Sequence, residues 1–209
     1  MSQETERHLV LARLRDEIRR IERRPARREG VVASGLEGVD AVLPGGGFPC
    51  GALAELTGGP ASGKTAVALA LFASLGPETL AAYVDGRGEL YPPAAAARGV
   101  DLARLLLVRP PRRAGASEDV RAVLWAAEAL LGSGAFAAVA VDVALPRSIA
   151  GADAIARRLQ AAAEKGGAVG LWLGAGSGLR VPAAVRLELA AEAGRIVARR
   201  AAGGRPRAA

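Results

Sequence analysis

The chain has 209 residues, 51% of them hydrophobic, and a formal net charge of +7; these values fit one domain with a sizeable core and exclude general disorder. A single cysteine and a single histidine exclude an intrachain disulfide framework and a zinc cluster. No apolar run approaches the roughly 18 residues of a membrane span, and no signal segment follows the acidic start, so we expect a cytoplasmic protein.

The positive charge is concentrated at the two ends of the chain. Residues 1–29 hold nine arginines and six acidic residues, and residues 195–209 hold five arginines and no acidic residue. Two interpretations stay open: these arginines form a solvated surface, or they attract DNA phosphates weakly, without sequence specificity and in a salt-dependent way. Only two of the 28 basic residues are lysines, Lys64 and Lys165, so the lysine at position 64 suggests a specific role.

The N-terminal segment, residues 1–29, predicts a basic amphipathic helix over residues 7–24 and a linker. Proline at position 25 ends the helical pattern. A narrow apolar stripe of this kind is expected to dock on its own domain, on a second copy or on another protein. The four apolar residues at heptad spacing are Leu11, Leu14, Ile18 and Ile21.

Residues 30–200 predict an α/β core, with a mostly parallel central sheet and helices on both faces, because apolar strand-like runs alternate with helical patterns. Residues 25–47 are rich in Arg, Gly and Pro and are interpreted as a connector. Residues 201–209 predict a disordered basic tail. The predicted strands are Ala52–Thr57, Leu80–Asp85, Leu105–Val108, Phe136–Asp142, Ala168–Leu173, Val185–Leu189 and Arg195–Ala198. The predicted helices lie near Lys64–Leu75, Ala94–Ala97, Glu118–Leu131 and Ala150–Lys165.

Residues 58–65 read Gly-Gly-Pro-Ala-Ser-Gly-Lys-Thr, a complete G-x-x-x-x-G-K-T phosphate loop (P-loop) between a predicted strand and a predicted helix. Backbone N–H groups of such a loop converge on phosphate oxygens, and the helix N-terminus adds its positive dipole end. Lys64 is predicted to reach the β- and γ-phosphates, and the Thr65 hydroxyl to ligate Mg²⁺. The predicted nucleotide-binding residues are Gly58, Gly59, Pro60, Ala61, Ser62, Gly63, Lys64, Thr65 and Ala66.

Carboxylates at the ends of two predicted strands are candidates for the remaining chemistry. Asp142 ends the run Phe136–Asp142 and is predicted to hold the water shell of the metal, with a turn-capping role as the alternative. A hydrolytic site also needs a carboxylate that orients or deprotonates the attacking water, and Asp85 and Glu89 are the candidates. Arg87 lies between these two acids and can pair with either of them.

The residues around the P-loop resemble those of the bacterial RecA family. The segments Ser34–Leu36, Leu43–Pro49 and Gly51–Leu56 precede the P-loop in the RecA order, and Asp142 falls at the second acidic motif. The block Leu43–Leu56 is most similar to the ImuA family of RecA-like accessory proteins in mutagenic translesion synthesis. The resemblance implies a RecA-like P-loop core that binds ATP or ADP with Mg²⁺. It also implies RecA and an ImuB-like polymerase subunit as protein partners.

Departures from the RecA pattern affect the motor more than the phosphate site. Arg87 stands where the resemblance places the catalytic glutamate of RecA, and Leu171–Ala175 has no polar side chain where RecA has its nucleotide sensor. The stretches 143–150 and 176–182 are shorter than the DNA-binding loops of RecA. Tyr91 and Ala94 fall near the adenine-contacting positions of the family. The resemblance therefore implies a reduced core that retains phosphate binding.

Three functions are consistent with the sequence. The favoured hypothesis is an adaptor in the DNA damage response (SOS response, DNA repair) with weak or no ATP hydrolysis. The first alternative is a DNA-dependent ATPase or recombinase that forms filaments on single-stranded DNA. The second is a phosphoryl-transfer enzyme for a small substrate, with residues 111–113 as the candidate basic lid. Single-strand binding usually needs exposed aromatic platforms, but five aromatic residues are predicted to pack in the core: Phe72, Tyr83, Trp125, Phe136 and Trp172.

Overall fold

A computed structural model describes residues 29–110, 116–146, 148–174 and 181–201 of the chain. Several sequence-based predictions fall outside these residues: the N-terminal helix over 7–24, the basic stretch 111–113 and the tail from residue 202. Within the described residues, the structure confirms an α/β fold with a mostly parallel sheet.

The central sheet has seven strands among the described residues, in the order β5-β4-β6-β7-β3-β8-β9. Neighbouring strands are parallel except β8 and β9, which form an antiparallel pair at one edge. Parallel strands buried on both faces read as continuous apolar runs, which is why the sequence located them. The strands are β3 (Ala52–Thr57), β4 (Leu80–Asp85), β5 (Leu105–Val108), β6 (Phe136–Asp142), β7 (Val169–Leu173), β8 (Val185–Glu192) and β9 (Arg195–Arg200).

Helices cover both faces of the sheet and divide the core into two clusters. The helix after the P-loop packs Val67, Leu71 and Phe72 into the cluster on one face. On the opposite face, two further helices contribute Val123, Leu124 and Leu159 to the second cluster. The helices are α1 (Glu37–Asp40), α2 (Lys64–Ser74), α3 (Pro92–Ala96), α4 (Ala116–Gly132) and α5 (Ala152–Gly166).

The prediction of a connector over residues 25–47 is wrong from residue 31 onward. Strands β1 (Val31–Val32) and β2 (Phe48–Pro49) form a small antiparallel sheet. Between them, the carboxylate of Asp40 accepts hydrogen bonds from Ser34 N at 2.8 Å, Ser34 Oγ at 2.7 Å and Gly35 N at 3.0 Å. These bonds give the segment a fixed local structure, although its strands are too short to produce a visible apolar pattern.

The core prediction is also wrong for one aromatic residue, Trp125, which is 72% exposed on α4. Its neighbours Leu124 and Ala126 are buried, and one residue of helix corresponds to a rotation of about 100°. The indole therefore lies on the solvent side of α4. Because the apolar residues of this helix form a nearly continuous run, the sequence did not show which of them face the core. The other aromatic residues of the prediction are buried as expected: Phe72, Tyr83, Phe136 and Trp172.

An ion pair joins the centre of the sheet to β8. Glu55 and Arg186 are register partners, and Arg186 Nε lies 2.8 Å from Glu55 Oε2. The guanidinium also donates from Nη2 to the Val181 carbonyl at 2.9 Å. Both side chains are largely shielded from solvent, at 22% and 11% exposure. Removing one partner leaves a shielded charge without its counter-charge.

Arg186→Ala is therefore expected to lower the free energy of unfolding by about 3 kcal/mol. The matched control is Arg158→Ala, which removes a more exposed ion pair, Arg158 Nε to Glu128 Oε2 at 3.0 Å, and should cost less than about 1 kcal/mol. Urea unfolding followed by circular dichroism measures both values. Equal losses in the two variants would contradict the structural weight given to the Glu55–Arg186 pair.

Candidate nucleotide-binding site

The P-loop joins β3 to α2 and lines a pocket of about 470 Å³. Glycine is required at its two bends, because Gly58 has φ +139° and Gly63 has φ +97°. All predicted loop residues from Gly58 to Thr65 line this pocket, so the structure brings them together. Ala66 lines the adjoining cavity instead. The side chains that complete the pocket are Arg87, Glu89, Asp142 and Leu173.

Lys64 is held inside the curve of the loop. Its ammonium donates to the carbonyls of Gly58 and Gly59, both at 2.8 Å, and to Ser62 Oγ at 3.1 Å. Burial lowers the pKa of Lys64 below its usual range, the charge of Arg87 lowers it further, and Asp142 opposes the change. The loop thus places a positive charge in the pocket where phosphate groups are expected.

Tyr83 is the hydrogen-bond partner of one of the predicted metal residues, Asp142. Its hydroxyl donates to Asp142 Oδ2 at 3.0 Å. Burial is the main cause that raises the pKa of Tyr83 well above its usual range, and burial also raises the pKa of Asp142. The sequence placed Tyr83 only in the core. The available signal was strand alternation, since Tyr83 lies two residues before Asp85 on β4 and pairs in register with Ala140, two residues before Asp142.

Arg87 and Glu89 form a bidentate ion pair at the rim of the pocket. Arg87 Nε donates to Glu89 Oε2 at 3.0 Å, and Nη2 donates to Oε1 at 3.3 Å. Arg87 Nε also lies 3.9 Å from Asp142 Oδ1. The hydrogen bonds to Glu89 raise the pKa of the Arg87 guanidinium above its usual range, so it stays charged. Each carboxylate among the described lining residues therefore faces a cation or a hydrogen-bond donor.

Asp85 is not brought to the pocket with Glu89. Its side chain is fully buried, Oδ1 accepts from Glu89 N at 3.0 Å, and Oδ2 accepts from Leu90 N at 3.1 Å. Arg109 Nε donates to Oδ2 at 2.9 Å and its Nη2 donates to the Leu90 carbonyl. This geometry makes Asp85 an anchor for residues 86–90 rather than a group that reaches a water molecule. The sequence did not single out Arg109, because only the fold brings β5 beside β4.

A second cavity, of about 260 Å³, adjoins the P-loop pocket and shares Thr65, Glu89 and Asp142 with it. Tyr91 and Ala94, the positions near which the resemblance places adenine, line this cavity together with Arg98. The Tyr91 ring is 67% exposed, so one of its faces is open to a planar ligand. A further cavity of about 290 Å³, lined by Phe72, Val100 and Arg104 among others, contains none of the P-loop residues.

Two kinds of feature are absent from the residues that the structure describes. These residues contain no group of three or more His, Cys, Asp or Glu side chains placed to hold a metal ion. Nor does any described helix have the length and apolar character that a membrane crossing requires.

Comparison with known proteins matches this chain to RecA. The family model described as RecA N-terminal domain matches residues 15–155. The chain is 36% identical over 113 residues to Protein RecA of Clostridioides difficile (strain 630), covering 54% of this chain and 30% of that protein. It is 38% identical over 113 residues to Protein RecA of Lactococcus lactis subsp. cremoris (strain MG1363), covering 54% and 27%. Protein RecA of Streptococcus agalactiae is 36% identical over 126 residues, covering 60% and 31%. The matched segments thus span less than a third of the length of these curated relatives.

Proposed function

This chain belongs to the RecA N-terminal domain family, and from that membership we propose that it is a nucleotide-binding accessory protein of the DNA damage response. It acts as an adaptor in mutagenic translesion synthesis and hydrolyses ATP weakly or not at all. ATP or ADP is the ligand. The resemblance to ImuA supports the adaptor role, and the geometry of the pocket supports the low turnover.

Nucleotide binding is supported by the P-loop and by the two joined cavities. Phosphates fit the loop that carries Lys64, and the base fits the neighbouring cavity beside Tyr91. Backbone N–H groups of the loop and the N-terminus of α2 favour an anionic ligand there. The P-loop pocket has a volume of about 470 Å³ and the adjoining cavity about 260 Å³. Together they are large enough for a nucleotide, with the phosphates in one and the base in the other.

Low turnover rests on one observation, the position of Arg87. Water attack on a phosphoryl group needs a residue that orients the water or accepts its proton. Arg87 is a permanent cation at the rim of the phosphate pocket, and it binds Glu89 through two hydrogen bonds. Both oxygens of the Glu89 carboxylate are engaged in this way, so Glu89 is poorly placed to orient a water molecule. Glu89 remains the candidate for whatever residual hydrolysis occurs.

The adaptor role assigns the protein to the cytoplasm, with RecA and an ImuB-like polymerase subunit as partners. The predicted basic helix over residues 7–24 and the basic tail are the segments proposed to bind them. Contact with DNA is weak and non-specific in this proposal. In β9, Arg195 lies directly opposite Glu192 and Arg199 opposite Glu188, so part of the C-terminal basicity is locally neutralised.

Steady-state ATP turnover of the full chain, with and without single-stranded DNA, tests the proposal. We expect wild-type turnover to equal that of Lys64→Ala in both conditions, while a fluorescent ATP analogue binds the wild type. Arg87→Glu restores a carboxylate at this position and is expected to raise turnover above wild type. Because Arg87 is a partly exposed residue at the pocket rim, this variant should fold normally.

Turnover that rises with DNA and disappears in Lys64→Ala would contradict the proposal and favour the alternative, a DNA-dependent ATPase or recombinase. Electron microscopy of the wild type with ATP and single-stranded DNA then gives a second test, since the alternative requires filaments. The adaptor role has its own test, which is direct binding of the full chain to purified RecA and ImuB-like subunit from the source organism. Absence of binding to both would contradict that part.

A further inference from the structure

The residues predicted to hold Mg²⁺ have suitable chemistry, but Asp142 is already engaged by other side chains. A threonine hydroxyl and a carboxylate are oxygen donors of the kind that Mg²⁺ accepts, directly or through water. In this structure one oxygen of Asp142 accepts a hydrogen bond from the buried Tyr83 hydroxyl at 3.0 Å. The other oxygen of Asp142 faces Arg87 Nε at 3.9 Å. The donor set is therefore a poor fit for a further cation.

The charges of the pocket lead to the same conclusion. Four charged side chains line it: the cations of Lys64 and Arg87 and the anions of Glu89 and Asp142. Both anions face Arg87. The two positive and two negative charges make the pocket close to neutral before a ligand binds. A divalent ion beside Asp142 would lie close to the guanidinium and would be repelled by it. Phosphate oxygens, in contrast, gain from both cations.

We propose that Arg87 is a built-in cation that takes the place of Mg²⁺, so that this chain binds nucleoside di- and triphosphates with an affinity that depends little on divalent metal. The inference rests on the proposed function, since it requires that the pocket bind a nucleotide. It also specifies the form of the ligand, because the pocket then favours the nucleotide without a bound metal ion.

Arg87 is placed to bind a phosphate while it keeps its ion pair with Glu89. A guanidinium carries five N–H donors in a planar fork that matches phosphate oxygens. The backbone of residues 86–90 is anchored to the buried Asp85 carboxylate through Glu89 N and Leu90 N. The Arg87 backbone is thus fixed, and its side chain, 38% exposed, lines the pocket. Glu89 holds the guanidinium at the rim, where it can contact an incoming phosphate while the ion pair stays in place.

The test is the dissociation constant of a fluorescent ATP analogue and a fluorescent ADP analogue, each measured in excess Mg²⁺ and in excess EDTA. For the wild type we expect the two constants to agree within about threefold, since the guanidinium supplies the charge-assisted contact in both buffers. For Arg87→Gln, which removes the charge and leaves a shorter polar side chain, binding in EDTA should weaken by at least about tenfold, the cost of one charge-assisted hydrogen bond. Binding of the variant in Mg²⁺ should weaken less.

Arg104→Gln is the matched control, because it removes an arginine that pairs with Asp101 outside the phosphate pocket; its constants should equal those of the wild type. Unfolding temperatures of all three proteins verify that they fold. Wild-type binding that weakens more than about tenfold in EDTA, or an Arg87→Gln variant with wild-type metal dependence, would overturn the inference and leave nucleotide binding intact. Absence of binding in both buffers would overturn the proposed function and the inference together.

Discussion

Replacing Lys64 with alanine is expected to weaken nucleotide binding by about 100-fold, since a charge-assisted hydrogen bond contributes up to about 3 kcal/mol. The structure gives the reason for so large an effect. The Lys64 ammonium lies in the pocket and donates to Gly58 O, Gly59 O and Ser62 Oγ, and a phosphate oxygen that replaces one of these acceptors gains a charge-assisted hydrogen bond. Isothermal titration calorimetry with ATP and with ADP measures the loss.

The chain provides its own control for this substitution. Lys165, the only other lysine, is exposed in the last turn of α5, and Lys165→Ala should bind nucleotide as the wild type does. Unfolding temperatures of both variants separate lost binding from lost structure. An affinity of Lys64→Ala within about threefold of the wild type would contradict a phosphate-binding role for this lysine.

Gly58→Ala is expected to lower the free energy of unfolding by about 3 kcal/mol or more, because the backbone and the surrounding atoms both reject a side chain. Gly58 has φ +139°, and a Cβ there would lie 2.3 Å from the Leu189 carbonyl oxygen and 2.6 Å from Ser62 Oγ. Leu189 belongs to the neighbouring strand β8, so the clash is with sheet backbone that cannot move alone. Urea unfolding is the measurement.

The adjacent residue is the matched comparison. A Cβ at Gly59 would have no atom within 4 Å, and φ there lies outside the left-handed range, so Gly59→Ala should change stability by less than about 0.5 kcal/mol. Similar losses of stability in the two variants would show that the loop responds to an added side chain in the same way at both positions. The specific close approach between the P-loop and β8 would then lack energetic importance.

The strands of the central sheet were predictable because a strand that is buried on both faces appears in the sequence as a continuous apolar run. The run Phe136–Asp142, for example, is apolar up to its last residue, Asp142. The small sheet that contains Val31 and Phe48 left no such pattern, because each of its strands has only two residues. Trp125 was misplaced for a related reason, since an apolar run on a helix does not say which residues face solvent.

The candidate site was predictable only where residues are close in sequence. The P-loop is contiguous, so its pocket follows from its motif. The hydrogen bond from Tyr83 to Asp142 joins two strands and depends on strand order, which a single sequence does not reveal. The anchoring of Asp85 by Arg109 likewise needs β5 beside β4. A count of charges by segment also missed the pairing of arginines in β9 with glutamates in β8.

The anchored loop over residues 86–90 has a consequence for the speed of ligand exchange. Asp85 accepts hydrogen bonds from Glu89 N and Leu90 N, and Gly86 N donates to the Asp142 carbonyl at 2.8 Å. Ordering five backbone residues during binding would cost about 1–2 kcal/mol each, whereas fixing one side chain costs about 0.5–1.5 kcal/mol. A nucleotide that enters the pocket meets a preorganised wall, so association requires no loop folding. Residence time is then set by how quickly the phosphate contacts themselves break.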